Sequence, residues 1–377
     1  MSIDTHVCLV SAQAAPNLLP MLDDELKPNR VILLVTPQMK EKANHLKEVI
    51  QPRGIKVEQI EIDNAANFDS IQEILLNELS KVDQNSIALN VTGGTKWMAI
   101  AAQEIFRMNN SPVFYVDVES DRVFFLDRNK DPHPLIHRID FSNYLKTYGY
   151  RIISEDKSGL MQNHKKFCEE LVYHVKEWEG AVGFLNKLAS DAASRDLLKS
   201  DIHDPSTMPI YFDKLLNECR QANLVKQGNL QSIEFCNVSA RTFCNGGWLE
   251  AYASNILSKL RSDGILQDPP HVNAVVENSK GIKNEIDVAF MAKNRLHIIE
   301  CKTKRMKENQ SGQSSADTVY KLDSISELGG LGTKPMLISY KRLGKTDKKR
   351  AQDLRIKVIE SEQIQNLKTH LEEWINK

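Results

Sequence analysis

Asn284-Glu-Ile-Asp-Val-Ala-Phe290 and Leu296-His-Ile-Ile-Glu-Cys-Lys302, separated by Met291-Ala-Lys-Asn-Arg295, decide the reading of this chain. Both segments are short, apolar and rich in β-branched residues, which favours strands, and the polar break between them favours a hairpin. A two-residue loop at Lys293-Asn294 sets Asp287 opposite Glu300 and Glu285 opposite Lys302. Side chains alternate along a strand, so these four share one face, while Ile286, Val288, Ile299 and Cys301 point into a core on the other. Opposed carboxylates in a sheet repel, and such a pair persists when a cation lies between them. A divalent metal with oxygen ligands meets that need. Lys302 is placed to position or deprotonate an attacking water, or to steady the charge of a phosphate. The plainer alternative is a surface hairpin with salt-bridged charges, but Leu-His-Ile-Ile-Glu-Cys-Lys is too apolar for a strand facing water.

Upstream, Gly246-Gly-Trp-Leu-Glu250 opens a helix over 247–262 with Trp248, Tyr252, Ile256 and Leu260 on one apolar stripe. Glu250 falls off the stripe. It is either a surface acid compensating the helix dipole or a third carboxylate of a metal site. A helix with an acid, a hairpin with an acid and a Glu-x-Lys strand resembles the PD-(D/E)xK nuclease superfamily, on Glu250, Asp287 and Glu300-Cys301-Lys302. The resemblance implies a restriction-endonuclease-like mixed α/β domain over 246–377. It also implies Asp287 and Glu300, with Glu250, as ligands of Mg2+ or Mn2+, and Lys302 as the catalytic lysine. The proline often found before the hairpin acid is replaced by Ile286. Tyr320 and Lys321 fall on a helix expected at 317–328, where relatives place an extra polar residue; neither they nor Glu285 has a role readable from the sequence.

The first ~140 residues alternate strands (6–11, 31–36, 56–62, 86–92, 112–118) with helical segments (17–27, 38–51, 67–82, 95–109), and a strand at 122–127 follows as a hairpin partner. This is the pattern of a Rossmann-like, mostly parallel sheet covered on both faces. Ala88-Leu-Asn-Val-Thr-Gly-Gly-Thr-Lys96 ends a strand and opens a helix. Its glycines let a ligand approach the backbone, and helix-start amides attract anions. It matches neither the phosphate-binding P-loop nor Gly-x-Gly-x-x-Gly, which disfavours a nicotinamide cofactor and a dehydrogenase. A tight strand–helix turn is the bland alternative. Ser11-Ala-Gln13, before Pro16-Asn17, lies at the same edge of the sheet, as does Thr36-Pro37.

Residues 141–245 differ. Helices near 162–190 and 209–222 lead to alternating runs at 224–237, a winged-helix-like arrangement that suits DNA binding or spacing. In the last third, a polar loop at 305–316, a strand at 335–340 and a helix at 361–376 complete the nuclease pattern. The six cysteines form no Cys-x-x-Cys pair and fit reduced thiols. A net charge of −1 gives no global attraction to nucleic acid, which leaves a local basic groove as the alternative. Lys302-Thr-Lys-Arg305, Lys341-Arg342, Lys345 and Lys348-Lys-Arg350 are candidates to hold a phosphate backbone. No apolar run approaches a membrane span and no secretory signal opens the chain, so a cytoplasmic protein without membrane contact is expected.

A Rossmann-like domain carrying Thr-Gly-Gly-Thr-Lys, then a helical segment, then a nuclease is similar in its whole order to the CRISPR-associated Rossmann-fold (CARF) nucleases of type III CRISPR defence. The resemblance implies a sensor over 1–140, a connector over 141–245 that acts as a hinge, and a nuclease over 246–377. It implies a homodimer that binds a cyclic oligoadenylate, cyclic tetra-adenylate in particular, across its two-fold axis. Ser11, Gln13, Thr92, Gly93, Gly94, Thr95 and Lys96 then become ligand contacts, and the substrate is DNA, RNA or both. Two alternatives stay open: an unregulated restriction- or repair-type nuclease, and a ligand-responsive DNA-binding regulator.

Overall fold

A computed structural model describes residues 3–63, 67–82, 86–126, 131–157, 159–228, 231–266, 268–304 and 315–376. In the first part, β1 (Thr5–Leu9), α1 (Ala15–Leu18), β2 (Arg30–Val35), α2 (Lys40–Ile50), β3 (Lys56–Glu61), α3 (Phe68–Leu79), β4 (Ile87–Asn90), α4 (Lys96–Met108) and β5 (Val113–Asp117) alternate as expected. The sheet runs β3-β2-β1-β4-β5, all parallel, and continues antiparallel into β6 (Arg122–Phe125) and β7 (His133–Pro134). The β1 and β2 strands are buried along their whole length apart from Arg30, as strands covered on both faces must be.

The helix expected at 17–27 is instead one α-turn, α1, followed by a 3-10 turn at Leu19–Met21. Pro20 lacks an amide hydrogen and cannot continue the α-helical ladder. The turn is buried, and the Asn17 side-chain amide donates to the Leu9 carbonyl at 2.9 Å.

After α5 (Phe141–Thr147), the strand β8 (Tyr150–Asp156) joins the edge of a second sheet. Then come α6 (Gln162–Tyr173), α7 (Glu179–Ser194), β9 (Lys199–Asp201), α8 (Phe212–Gln221), β10 (Ser232–Glu234) and α9 (Val238–Thr242). The β9 and β10 strands pair antiparallel, so the helices-plus-hairpin pattern is present. It does not stand alone: residues of α6 to α9 share one apolar core with Trp248, Leu257, Val288, Ile299 and Tyr340. Within 141–245 the packing changes partner: Phe141, Tyr144 and Leu145 of α5 lie in the core of the first sheet, whereas α6 to α9 lie in that of the second.

The remaining elements are α10 (Trp248–Ser262), β11 (His271–Asn278), β12 (Lys283–Ala292), β13 (Arg295–Lys302), α11 (Ser315–Ser326), β14 (Lys334–Ser339), α12 (Lys345–Asp353), β15 (Lys357–Glu360) and α13 (Leu367–Asn376). The sheet order is β15-β14-β13-β12-β11-β8, parallel on the β15 side of β13 and antiparallel on the other. Of the polar loop expected at 305–316, residues 305–314 lie outside the described residues.

The β12–β13 hairpin has the expected register: Val288 faces Ile299 and Ala292 faces Arg295. Its turn residues Lys293 and Asn294 both take left-handed φ, 49° and 55°, as a tight two-residue hairpin requires. Asn294 also ties the two halves of the molecule together. Its Oδ1 accepts from the Ile139 amide at 3.1 Å and its Nδ2 donates to Asp121 at 2.8 Å. A second tie runs from the Tyr144 hydroxyl to the Gly329 carbonyl at 2.7 Å. Replacing Asn294 by Ala strands a buried amide and removes a residue tolerant of left-handed φ, so a loss of about 2 kcal/mol is expected. A denaturant titration checks this; a change below ~0.5 kcal/mol would mean that Asn294 does not join the two sheets.

Candidate active site and candidate ligand cleft

The catalytic candidates meet where the strands of the second sheet part. The β12–β13 ladder stops at Val288 and Ile299. Beyond it the Asp287 carboxylate turns into the gap, and its Oδ2 accepts the Cys301 amide at 2.7 Å. A side chain replaces the expected backbone acceptor, so the pairing of Glu285 with Lys302 is not made. Glu285 lies opposite Val275 instead and is exposed. The break also divides the expected apolar face: Val288, Ile299 and Cys301 enter the core beneath α10, whereas Ile286 packs in the core shared with the first sheet.

Asp287 and Glu300 are both buried, at 8% and 1% exposure. Lys302 Nζ reaches Glu300 Oε1 at 2.6 Å, and Lys321 Nζ, from α11, reaches the same oxygen at 3.5 Å. Burial, then the charge of Glu300, pushes the Asp287 carboxyl up to about 6, although Lys302 and the Cys301 amide pull the other way. Glu250 projects from the first turn of α10 toward the same charges. Burial, then Asp287, pushes its carboxyl up to about 8. Glu250 is half-buried, with Asp287, Lys302 and Glu300 as its charged neighbours. For Lys302, burial opposes the charge, but Glu300 and Asp287 outweigh it and hold the ammonium above its ordinary range.

Sequence reasoning missed Asn273. It takes a left-handed φ of 48° at a register irregularity between β11 and β8. Its side chain bonds Glu250, and its Nδ2 donates to Asp156 at 2.7 Å. A polar residue in a Val-rich run was the only signal. The segment that follows Lys302 is held from the helical layer: Asn186 of α7 donates to Thr303 Oγ1 at 3.0 Å. Gly246 runs so close to that hydroxyl that a Cβ would meet it at 2.7 Å. The outlying basic residues are less free than their sequence suggested. Arg342 pairs with Glu362, Lys348 with Glu360, and Arg350 with Asp347 while lying over the Tyr320 ring.

The donor set suits a hard divalent ion, because every candidate atom is a carboxylate oxygen and the acids repel one another. Among the described residues no three His, Cys, Asp or Glu side chains converge to hold one metal ion. Asp287 and Glu300 are the residues that would hold such an ion, and Glu250 does not meet them at one point.

At the carboxyl ends of the first sheet, a cleft of about 380 Å³ is walled by Ser11, Gln13, Thr92, Asp117, Tyr148 and Arg295, among others. Ser11, Gln13 and Thr92 are thus brought together. Gly93 and Gly94 serve packing: a Cβ on Gly93 would meet the Leu9 carbonyl oxygen at 2.0 Å, and Gly94 has φ 74° against the Leu9 side chain. Thr95 caps α4, accepting from the Met98 amide at 3.2 Å, and Thr95 and Lys96 are exposed outside the cleft wall. The Thr92 hydroxyl accepts the Val116 amide at 2.8 Å and donates to Asn90 at 2.6 Å. Buried Asn90 in turn donates to Asn17 and to the Pro16 carbonyl, both at 3.0 Å, which fixes the loops after β1 and β4 against each other.

Residues 5–144 match the family model described as Card1 CARF domain, and residues 237–377 match that of the Card1-like endonuclease domain. Over 99% of its length the chain is similar to protein VC1899 from Vibrio cholerae, at 28% identity with a TM-score of 0.88, covering 98% of that chain. It is similar over 100% of its length to Can2 from Sulfobacillus thermosulfidooxidans, solved in complex with cyclic tetra-adenylate, at 29% identity with a TM-score of 0.81, covering 98% of that chain. A type III CRISPR defence DNA nuclease activated by cyclic oligoadenylate shares the fold at 16% identity and a TM-score of 0.55; 91% of this chain aligns with 46% of that one. No curated protein matches.

The raised carboxyls carry a prediction for the metal-free protein. Folding takes up protons at Asp287 and Glu250, so their contribution to stability is complete below the ordinary carboxyl range. It is lost as pH rises through about 6 and then about 8. The melting temperature should therefore fall relative to Glu250→Gln between pH 5 and 8, and a divalent cation should narrow the gap. A difference between the two proteins that stays constant with pH contradicts the burial of Glu250 among like charges.

Proposed function

This chain joins a Card1 CARF domain to a Card1-like endonuclease domain, and from that premise we propose that it is a divalent-metal-dependent nuclease of type III CRISPR defence, switched on by cyclic tetra-adenylate. The observation that carries the nuclease chemistry is the parted hairpin. It presents Asp287 and Glu300 together beside two lysines, in a place where burial and mutual repulsion oppose their charge. The reading of the activator is supported by the cleft at the carboxyl ends of β1 and β4, and by the ring bound to Can2.

In this reading Asp287 and Glu300 would hold Mg2+ or Mn2+, and Glu250, which does not converge with them in this structure, would join as third carboxylate only by turning toward the ion. When bound, the ion supplies Lewis acidity and an activated water. Glu250 gives up its proton as the positive charge arrives, because ligands bind metals in their deprotonated form. Lys302 stays an ammonium and faces the charge that develops on the phosphate, which costs no reorganisation in a site already built around it. Lys321 adds a second cation from α11. The substrate is DNA, RNA or both.

The sensor role falls to Ser11, Gln13 and the Thr92–Lys96 loop, with Ser11, Gln13 and Thr92 in the cleft and Thr95 and Lys96 at the exposed start of α4. We divide the chain into a sensor to about residue 140 and a nuclease unit that includes β8 and the helical layer, since those share its sheet and core. A homodimer is supported by α4, which leaves Trp97, Ile100 and Met108 more than half exposed along one face. An apolar row of that kind is costly on a lone subunit. Among the described residues no helix is long and apolar enough to cross a membrane. Free cysteines fit a reducing cytoplasm.

Plasmid and single-stranded RNA cleavage in Mn2+ tests this directly. Cutting should require cyclic tetra-adenylate and fall at least about 100-fold in Glu300→Ala and Lys302→Ala, the scale expected when a preorganised charge is removed. Cutting that ignores the ring points to an unregulated nuclease. Sedimentation should give twice the 42.8 kDa chain mass, reduced to one chain by Ile100→Glu. A wild-type protein that sediments as a single chain removes the two-fold site.

A further inference from the structure

The wall of the sensor cleft is not made by the sensor alone. Asn294 and Arg295, at the turn of the nuclease hairpin, and Leu331 and Gly332, from the loop before β14, line it beside Ser11, Gln13 and Thr92. The nuclease loop packs directly on a sensor residue, since a Cβ on Gly330 would lie 3.0 Å from Gln13 Nε2.

Arg295 is the unusual member. Its residue is only 8% exposed, and a buried guanidinium demands partners for its five donors. Its one hydrogen bond among the described residues is a long contact to the Val118 carbonyl, 3.5 Å. The nearby Asp117 is already engaged: its carboxyl is held low first by the Ser120 hydroxyl, with the charge of Arg295 only a distant contributor. On the other side lies Lys334, at the start of β14, whose ammonium is disfavoured by burial and then by Arg295, with the charge of Glu119 acting the other way. Asp117 and Glu119 also line the cleft, but neither hydrogen-bonds the Arg295 guanidinium among the described residues, which leaves donors of this cation for an anion.

Building on the cyclic oligoadenylate reading of this cleft, we propose that Arg295 binds a phosphate of the ring, so that the catalytic hairpin is itself part of the activator site. The consequence is mechanical. From Arg295 to Glu300 is one uninterrupted strand, five residues or about 17 Å, paired with β12 from Arg295 to Ile299 and with β14 from His297 onward. A ligand that touches sensor and nuclease at once favours the placement in which both contribute contacts, and by the free energy of those contacts it selects that placement. Coupling then needs no relay through the helical layer, because the ligand-binding residue and the metal-binding residue sit on the same strand.

Calorimetric titration of cyclic tetra-adenylate into wild type, Arg295→Gln and Arg295→Lys, with melting curves for each, tests the proposal. Arg295→Gln should weaken ring binding ten-fold or more, and Arg295→Lys should recover part of it. Binding by Arg295→Gln within two-fold of wild type overturns the proposal while leaving the activator reading intact. Wild type that does not bind the ring overturns both. If Arg295→Gln does not fold, hydrogen exchange on wild type decides. The ring should slow exchange at residues 293–296 and 330–333, and unchanged rates at both segments overturn the proposal.

Discussion

Everything in the second half of this molecule depends on keeping two buried acids face to face. Asp287 and Glu300 sit on adjacent strands of a sheet, where like charges are unfavourable, and little water reaches them. The fold tolerates the pair through three devices. The Cys301 amide bonds Asp287, two lysines share one oxygen of Glu300, and burial favours the neutral form of Asp287. The amide bond ends the β12–β13 ladder early, and Lys321 ties α11 to the end of β13, while Asn273 in the irregular part of β11 bonds Glu250 of α10.

This explains which parts of the site were readable from sequence. The register of the hairpin was, because Lys293-Asn294 is a two-residue turn whose geometry leaves no freedom of alignment, and the Val/Ile alternation on either side agrees with it. The end of the ladder was not, because it is set by a side chain competing with the backbone for the Cys301 amide, and alternation carries no trace of that competition. Glu285 and Ile286 were misplaced for this reason. Asn273 was passed over because its role comes from a left-handed backbone at a bulge, which a single polar residue in the Val-rich run of β11 does not announce.

The first sheet was legible almost strand by strand, since wholly buried parallel strands read as continuous apolar runs. Its error came from proline: Pro20 shortened a helix that periodicity favoured. The two glycines after Thr92 let the loop lie against Leu9. The helical layer was recognised as helices and a small hairpin. What periodicity could not say is which surface their apolar stripes cover. Tyr340 donating to the Leu171 carbonyl and Asn186 holding Thr303 show that they buttress the strands of the site.

The charge balance of the site bears on what it accepts. Burial favours the neutral forms of Glu250 and Asp287, and the ammonium groups of Lys302 and Lys321 both lie on one oxygen of Glu300. Two cations at one carboxylate give a phosphate groups to engage. A divalent ion, by contrast, is favoured only as the two raised carboxyls lose their protons, and each proton lost makes room for its charge. In the proposed mechanism phosphate and ion would help each other: a phosphate that engages the lysines would free Glu300, and the freed carboxylates would then hold the ion.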